Sequence, residues 1–290
     1  MIIVRLMGGL GNQMFQYATG LRLAQSLSVP LKLDLSWFES IPHGVTTREY
    51  QLAAFRVSAA VASREDIERS RGKLPVNLAR LWPFHRRGGY VKETKFTFHP
   101  RILSLTPPVY LDGYWQSEKY FADSRDALLQ EFRLKNPLSR ERAQIAEIIS
   151  ISTGVGIHVR RGDYVTNPSA ASFHGICPRE YFVEAAAKIS EMVLCPHFFI
   201  FSDDPEWVSQ NLLPQIKPAT IVTEDVSDSA QQDLFLMSRC THFILSNSTF
   251  GWWGAWLGQD PSKVIIAPRR WFADGGISER DLVPDAWLRL

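Results

Sequence analysis

The chain opens on a short apolar run, Ile2 to Leu6, breaks into the glycine-rich GGLGNQ, and then places Met14, Tyr17, Ala18, Leu21, Ala24 and Leu27 at helical spacing. That order predicts strand, glycine turn and helix. A second apolar run from Leu31 to Leu35 supplies another strand, and the β-α-β order favours a parallel sheet covered by helices. Between Pro42 and Pro108 the periodicity is lost among scattered arginines and segments such as WPFHRRGGY, so the stretch reads as a helical and loop insertion. Order returns with a strand at Val109 to Asp112 and a helix through Ala127, Leu128, Glu131 and Phe132, after which Asn136-Pro137 marks a stop.

From Gly154 the alternation becomes regular. VGIHV, HFFIFS, ATIVT, HFILS and KVIIA read as strands, separated by helices near Pro178 to Val193, after Pro205, from Ala230 to Ser238 and over TFGWWGAWL. A chain of 290 residues exceeds one domain of roughly 150 residues. A boundary between Leu134 and Gly154 gives an N-terminal half, 1–150, and a C-terminal half, 151–290.

Composition narrows the function classes. The 32 basic and 30 acidic side chains nearly cancel to a formal +2, so no overall field draws the protein to nucleic acid or an anionic bilayer. Cys177, Cys195 and Cys240 are an odd set without a CxxC pair, which indicates neither a disulfide framework nor a closed zinc site and fits a reducing, cytoplasmic compartment. The first residues lack the pattern of a signal peptide and no run reaches the length of a membrane span. Contact with a lipid-linked acceptor is therefore expected to be peripheral, at the inner face of a membrane.

Four segments carry candidate chemistry. HVRRGDY puts His158, Arg160 and Arg161 just past a buried strand, where open α/β sheets bind ligands and where guanidinium forks match the oxygens of a diphosphate. The plainer reading pairs one arginine with Asp163 or another carboxylate and leaves the other solvated. In SNSTFGWWGAWL, Ser246, Asn247, Ser248 and Thr249 meet the start of a helix and offer hydroxyls and N–H groups to an anion, or simply cap that helix. Trp252, Trp253 and Trp256 recur at helical spacing and read as packing.

In GGLGNQ, Gly8, Gly9 and Gly11 permit close backbone approach, although the spacing is not the dinucleotide fingerprint. The amides of Asn12 and Gln13 suit sugar hydroxyls. In FSDDPEW, Asp203 and Asp204 end a strand, and three roles stand open: divalent-cation ligands, contacts to a base or ribose, and a cap for the helix after Pro205. Adjacent carboxylates beside arginines favour a base or ribose contact for one and capping for the other.

GGLGNQMFQYA, GYWQSEKYF, HVRRGDY, FSDD and SNSTFGWWGAWL, taken in this order, resemble the bacterial α-1,2-fucosyltransferases of glycosyltransferase family 11. The resemblance implies an α/β fold of the GT-B type, two Rossmann-like parallel-sheet domains facing across a cleft, with GDP-fucose held by the C-terminal one and the acceptor by the N-terminal one. It implies inverting transfer of fucose to the 2-hydroxyl of a galactose-containing glycan, with no metal or other cofactor. By motif position Arg160 would bind the β-phosphate, His158 would lie near the nucleotide, Ser248 or Thr249 would complete the phosphate site, and Asn12 and Gln13 would face the reacting centre.

The expected chemistry is stabilisation of the leaving GDP by Arg160, Arg161 and Ser248. Asp163 is the nearest carboxylate for a general base, or else orients an arginine. Two rivals remain at this level, a manganese-dependent transferase using Asp203 and Asp204 and a binding protein that recognises a nucleotide sugar or glycan without turnover.

Overall fold

A computed structural model describes residues 1–41, 46–71, 89–222 and 230–290, apart from the side chain of Ser169. The chain forms two compact units, Met1–Arg133 with Ile277–Pro284, and Leu134–Gly276 with Asp285–Leu290. The division at Arg133 moves the Arg140–Ser150 helix, which the 1–150 half contained, into the second unit. The cause is a buried ion pair, because Arg142 Nη1 lies 2.6 Å from Asp233 and donates at 2.8 Å to the Val222 carbonyl. The short return 277–284 is fastened within the first unit by Asp281, which accepts from Lys119 Nζ at 2.6 Å and from the Phe98 N–H at 3.0 Å.

The first unit holds a five-stranded parallel sheet. Its strands are β1 (Ile2–Arg5), β2 (Leu31–Asp34), β3 (Ala60–Val61), β4 (Tyr90–Lys92) and β5 (Val109–Asp112), in the spatial order β3-β2-β1-β5-β4. Both β3 and β4 fall inside the stretch read as an insertion. They are sheet edges of two and three residues, too short to show a period, with exposed or partly buried side chains. β1 and β5 are adjacent although the chain leaves β1 toward β2, so a topological switch point lies between them.

The second unit holds a six-stranded parallel sheet made of β6 (Thr153–Val159), β7 (Pro196–Ser202), β8 (Ala219–Ile221), β9 (His242–Leu245), β10 (Ile265–Ala267) and β11 (Leu288–Arg289). The order β11-β10-β9-β6-β7-β8 is that of a Rossmann sheet, with its switch point between β6 and β9. Strands covered on both faces read as continuous apolar runs, which is why this half was regular in the sequence. Val155, Ile157, Val159, Ile200 and Ile244 pack with Phe182 and Ile189 of the Arg179–Met192 helix. Full burial of such a side chain contributes about 1.5–3 kcal/mol.

The tryptophan-rich helix Thr249–Leu257 also packs inward. Trp252 and Trp253 are fully buried and meet edge to face at 5.1 Å, so they serve the core. No described helix is long and apolar enough to cross a membrane.

Candidate active site

β6 is buried along Gly154–Val159, and the chain emerges at its carboxyl end with Arg160. Arg160 Nη2 donates to Asp163 Oδ1 at 2.6 Å, while Nη1 lies 2.9 Å from Asp203 Oδ2 at the neighbouring end of β7. The Arg161 N–H donates to Asp203 Oδ1 at 2.8 Å, its Nε donates to Asp204 Oδ2 at 3.0 Å, and its guanidinium lies 4.1 Å from the centre of the Trp207 ring. Each arginine therefore has a carboxylate partner and neither is merely solvated. Burial opposes the Arg160 charge, but Asp203 and Asp163 outweigh it and raise the guanidinium pKa.

Gly162 lies against the same carboxylate, that of Asp203. A Cβ built there would stand 2.5 Å from Asp203 Oδ2, inside contact distance. Asp163, a candidate base in the sequence, is instead committed to orienting Arg160 through a charge-assisted bond. Asp204 accepts from the Trp207 N–H at 3.1 Å and caps the Pro205–Asn211 helix. Asp203 thus bonds both arginines, and Asp204 bonds Arg161 and the Trp207 N–H.

Across the switch point, the polar turn after β9 divides into two parts. Ser246 is fully buried and its Oγ lies 2.8 Å from His158 Nδ1. Burial, with a further push from Arg160, holds the imidazole at a pKa of about 3, so it is neutral. Asn247 donates from Nδ2 to the carbonyls of His174 at 2.7 Å and Trp271 at 3.1 Å, and its Oδ1 lies 3.6 Å from Cys177 Sγ. Ser246 and Asn247 therefore shape the turn from within, their side-chain polar atoms bonded inside the fold, while His158 spends Nδ1 on Ser246 at the end of β6, close to Arg160. Ser248 caps the Thr249–Leu257 helix by accepting from the Phe250 N–H at 3.3 Å. The partly exposed Thr249 and the helix's first N–H groups are what this turn offers to an anion.

At the switch point of the first unit, Gly8 has φ +76 and turns the chain from β1 into the Leu10–Ser26 helix, with Gly9 at the N-cap and Gly11 buried in the first turn. Asn12 Oδ1 accepts from Gln116 Nε2 at 2.8 Å, a bond that spans the ends of β1 and β5. Gln13 differs. It is fully buried, donating to the carbonyls of Gly8 at 2.9 Å and Glu49 at 2.8 Å and accepting from the Gln51 N–H at 2.9 Å. The expected sugar contact through Gln13 is thus corrected to a structural brace. Gln116 and Trp207 were given no role in the sequence, although each follows the end of a parallel strand, the position that pointed to Asn12 and Asp203.

A family model described as Glycosyl transferase family 11 matches residues 1–289. An Escherichia coli alpha-1,2-colitosyltransferase is 30% identical over 100% of this chain and 98% of its own length. The O-antigen biosynthesis glycosyltransferase WbnK of the same organism is 32% identical over 98% and 99%. Among solved structures, POFUT1 in complex with GDP aligns with a TM-score of 0.50 at 14% identity, covering 92% of this chain and 97% of that one. A point mutant of Arabidopsis thaliana FUT1 in complex with GDP gives a TM-score of 0.50 at 12% identity over 98% and 72%. At these identities the structural likeness concerns the fold, two Rossmann-like parallel-sheet units of the GT-B class.

Proposed function

The chain belongs to glycosyl transferase family 11, a fucosyltransferase family, and from that premise we propose that it transfers fucose from GDP-fucose to the 2-hydroxyl of a galactoside, with inversion and without a metal. The observation that carries this reading is the placement of Arg160 and Arg161 at the carboxyl end of β6, beside the switch point with β9. That position, in a Rossmann sheet, is where a nucleotide diphosphate docks. Arg161 uses only Nε on Asp204, so its amino groups are not spent in that bond. Arg160 is held ready by two carboxylates and exchanges one of them for a phosphate oxygen.

In the transfer step the bond from the sugar carbon to the phosphate oxygen breaks and its electron pair leaves with GDP. The guanidiniums and the Thr249–Leu257 helix N-terminus stabilise that developing charge. The donor and the acceptor are both open to a direct test, since one relative bears the name of a colitosyltransferase. Purified protein is offered GDP-fucose, GDP-colitose, GDP-mannose and UDP-galactose, each with a panel of β-galactosides, and products are analysed for linkage. Fucose in α-1,2 linkage supports the reading. Transfer from another donor alone, or another linkage, overturns it.

A further inference from the structure

Resting on the GDP-dependent transfer just proposed, we infer that Trp207 is a positioning residue whose indole holds the Arg161 guanidinium in place for the diphosphate. Arg161, Asp204 and Trp207 all belong to the second unit and close a ring of three contacts at the carboxyl ends of β6 and β7. Arg161 Nε donates to Asp204 Oδ2 at 3.0 Å, the Trp207 N–H donates to Asp204 Oδ1 at 3.1 Å, and the guanidinium carbon stands 4.1 Å from the centre of the Trp207 ring. One carboxylate thus fixes an edge of the guanidinium and, through its other oxygen, the backbone of the residue whose ring lies against it.

The indole itself is well held. Trp207 lies in the first turn of the Pro205–Asn211 helix, is half-buried, and packs against the apolar cluster that includes Val208 and Leu212. Asn211 Nδ2 donates to its carbonyl at 2.9 Å. The ring is therefore tied to the core of the second unit and to the guanidinium at once.

The two arginines are restrained by different means. Arg160 has two carboxylates, Asp163 and Asp203, on its amino groups and gives one up to take a phosphate oxygen. Among the described residues the Arg161 side chain bonds a carboxylate through Nε alone, and its second restraint uses no N–H donor. An aromatic face attracts a guanidinium through its quadrupole, leaves the N–H groups free to bond in the guanidinium plane, and adds no negative charge beside an anionic ligand. A carboxylate in the same position would occupy the amino groups and repel the diphosphate. A guanidinium held at an edge and on a face has little freedom left to lose on binding, and that saving is what the indole contributes.

The test is a double-mutant cycle on GDP affinity, measured by calorimetry on wild type, Trp207→Leu, Arg161→Ala and the pair, with Trp207→Phe as the conservative replacement. Trp207→Leu is expected to weaken GDP binding about 3- to 30-fold, the span of a cation–π contact, and kcat/KM for the donor should fall with it. Trp207→Phe keeps an aromatic face and should recover most of the affinity. In the Arg161→Ala background, Trp207→Leu should cost less than about twofold, because no guanidinium remains to be held. A tryptophan that only braces the fold would lower the thermal midpoint and cost the same in both backgrounds, and that result overturns the inference. A Trp207→Leu protein within about twofold of wild type in GDP affinity overturns it too, as does a Trp207→Phe protein no better than Trp207→Leu. If Trp207→Leu does not fold, Trp207→Met completes the same cycle. Each of these outcomes leaves the proposed transfer standing. Undiminished GDP affinity in Arg161→Ala removes Arg161 from the diphosphate site and this inference with it, and wild-type protein that binds no GDP sinks the proposed function as well.

Discussion

Arg160 Nη1 lies 2.9 Å from Asp203 Oδ2, a charge pair that ties the end of β6 to the end of β7 at the proposed diphosphate site. The same carboxylate accepts the Arg161 N–H through its other oxygen, so one aspartate positions both members of the arginine doublet. A guanidinium fixed before the ligand arrives has less freedom to lose on binding.

Replacement of Arg160 should therefore cost more in turnover than in folding. Removing one preorganised donor from a developing negative charge typically lowers the rate by about 10²–10³. Arg160→Ala is expected to show that loss in kcat/KM together with weaker GDP binding. Arg160→Lys keeps the charge but cannot span Asp163 and Asp203 with one planar fork, and should fall between the two. Steady-state kinetics decide, and undiminished turnover by Arg160→Ala removes the residue from the mechanism.

Asp204 gives a second, separable expectation. Because it caps the Pro205–Asn211 helix, Asp204→Ala should lower stability by about 0.5–2 kcal/mol in urea unfolding. Excess chelator should leave wild-type activity intact. Loss of activity on chelation, restored by manganese, would return the acidic pair to a metal-binding role.

How much of this was legible follows from where each determinant sits along the chain. β6, β7 and β9 announced themselves as apolar runs because both faces of a parallel sheet are covered. β3, β4 and β11, at two or three residues each, carry no period to read. The arginine doublet was visible as a motif, but its saturation was not, because Asp203 lies 42 residues from Arg161 and only the pairing of β6 with β7 brings them together. Asn12 and Gln13 looked equivalent on paper. One helical step rotates a side chain by about 100°, which turned Asn12 toward Gln116 and Gln13 into the protein, and no local signal chose between them. The packing of the Arg140–Ser150 helix was illegible for the same reason, since its buried Arg142 finds Asp233 far along the chain.

The bracing role of Gln13 has a direct consequence. Gln13→Leu keeps the bulk but removes the side-chain partner of the Gly8 and Glu49 carbonyls and the Gln51 N–H, in bonds that are part-buried. A typical hydrogen bond contributes about 0.5–1.5 kcal/mol, so a loss of about 1–3 kcal/mol is expected in urea unfolding. The KM for the donor should not change in the protein that remains folded. A stability matching wild type, with a raised donor KM, would restore Gln13 as a contact.

His158 supplies a prediction in which the sign decides. Its imidazole, bonded to Ser246 Oγ, is held at a pKa of about 3 in the folded protein, against an ordinary value of 6.5. Between those values the unfolded chain binds a proton that the native state does not, so stability rises with pH across this window. The contribution is complete above about pH 6.5 and drains away as pH falls toward 3, with a slope of at most about 1.4 kcal/mol per pH unit. His158→Gln can still bond Ser246 but does not titrate, and it lacks this slope. Urea unfolding of both proteins at a series of pH values should show their stabilities converging by about 2 kcal/mol between pH 7 and pH 5. His174, pushed down to about 4, loses stability in the same direction but is common to both proteins and cancels in the comparison. Two curves that stay parallel over that range would mean that His158 takes up a proton in the native state, and the buried, neutral imidazole at the end of β6 would have to be given up.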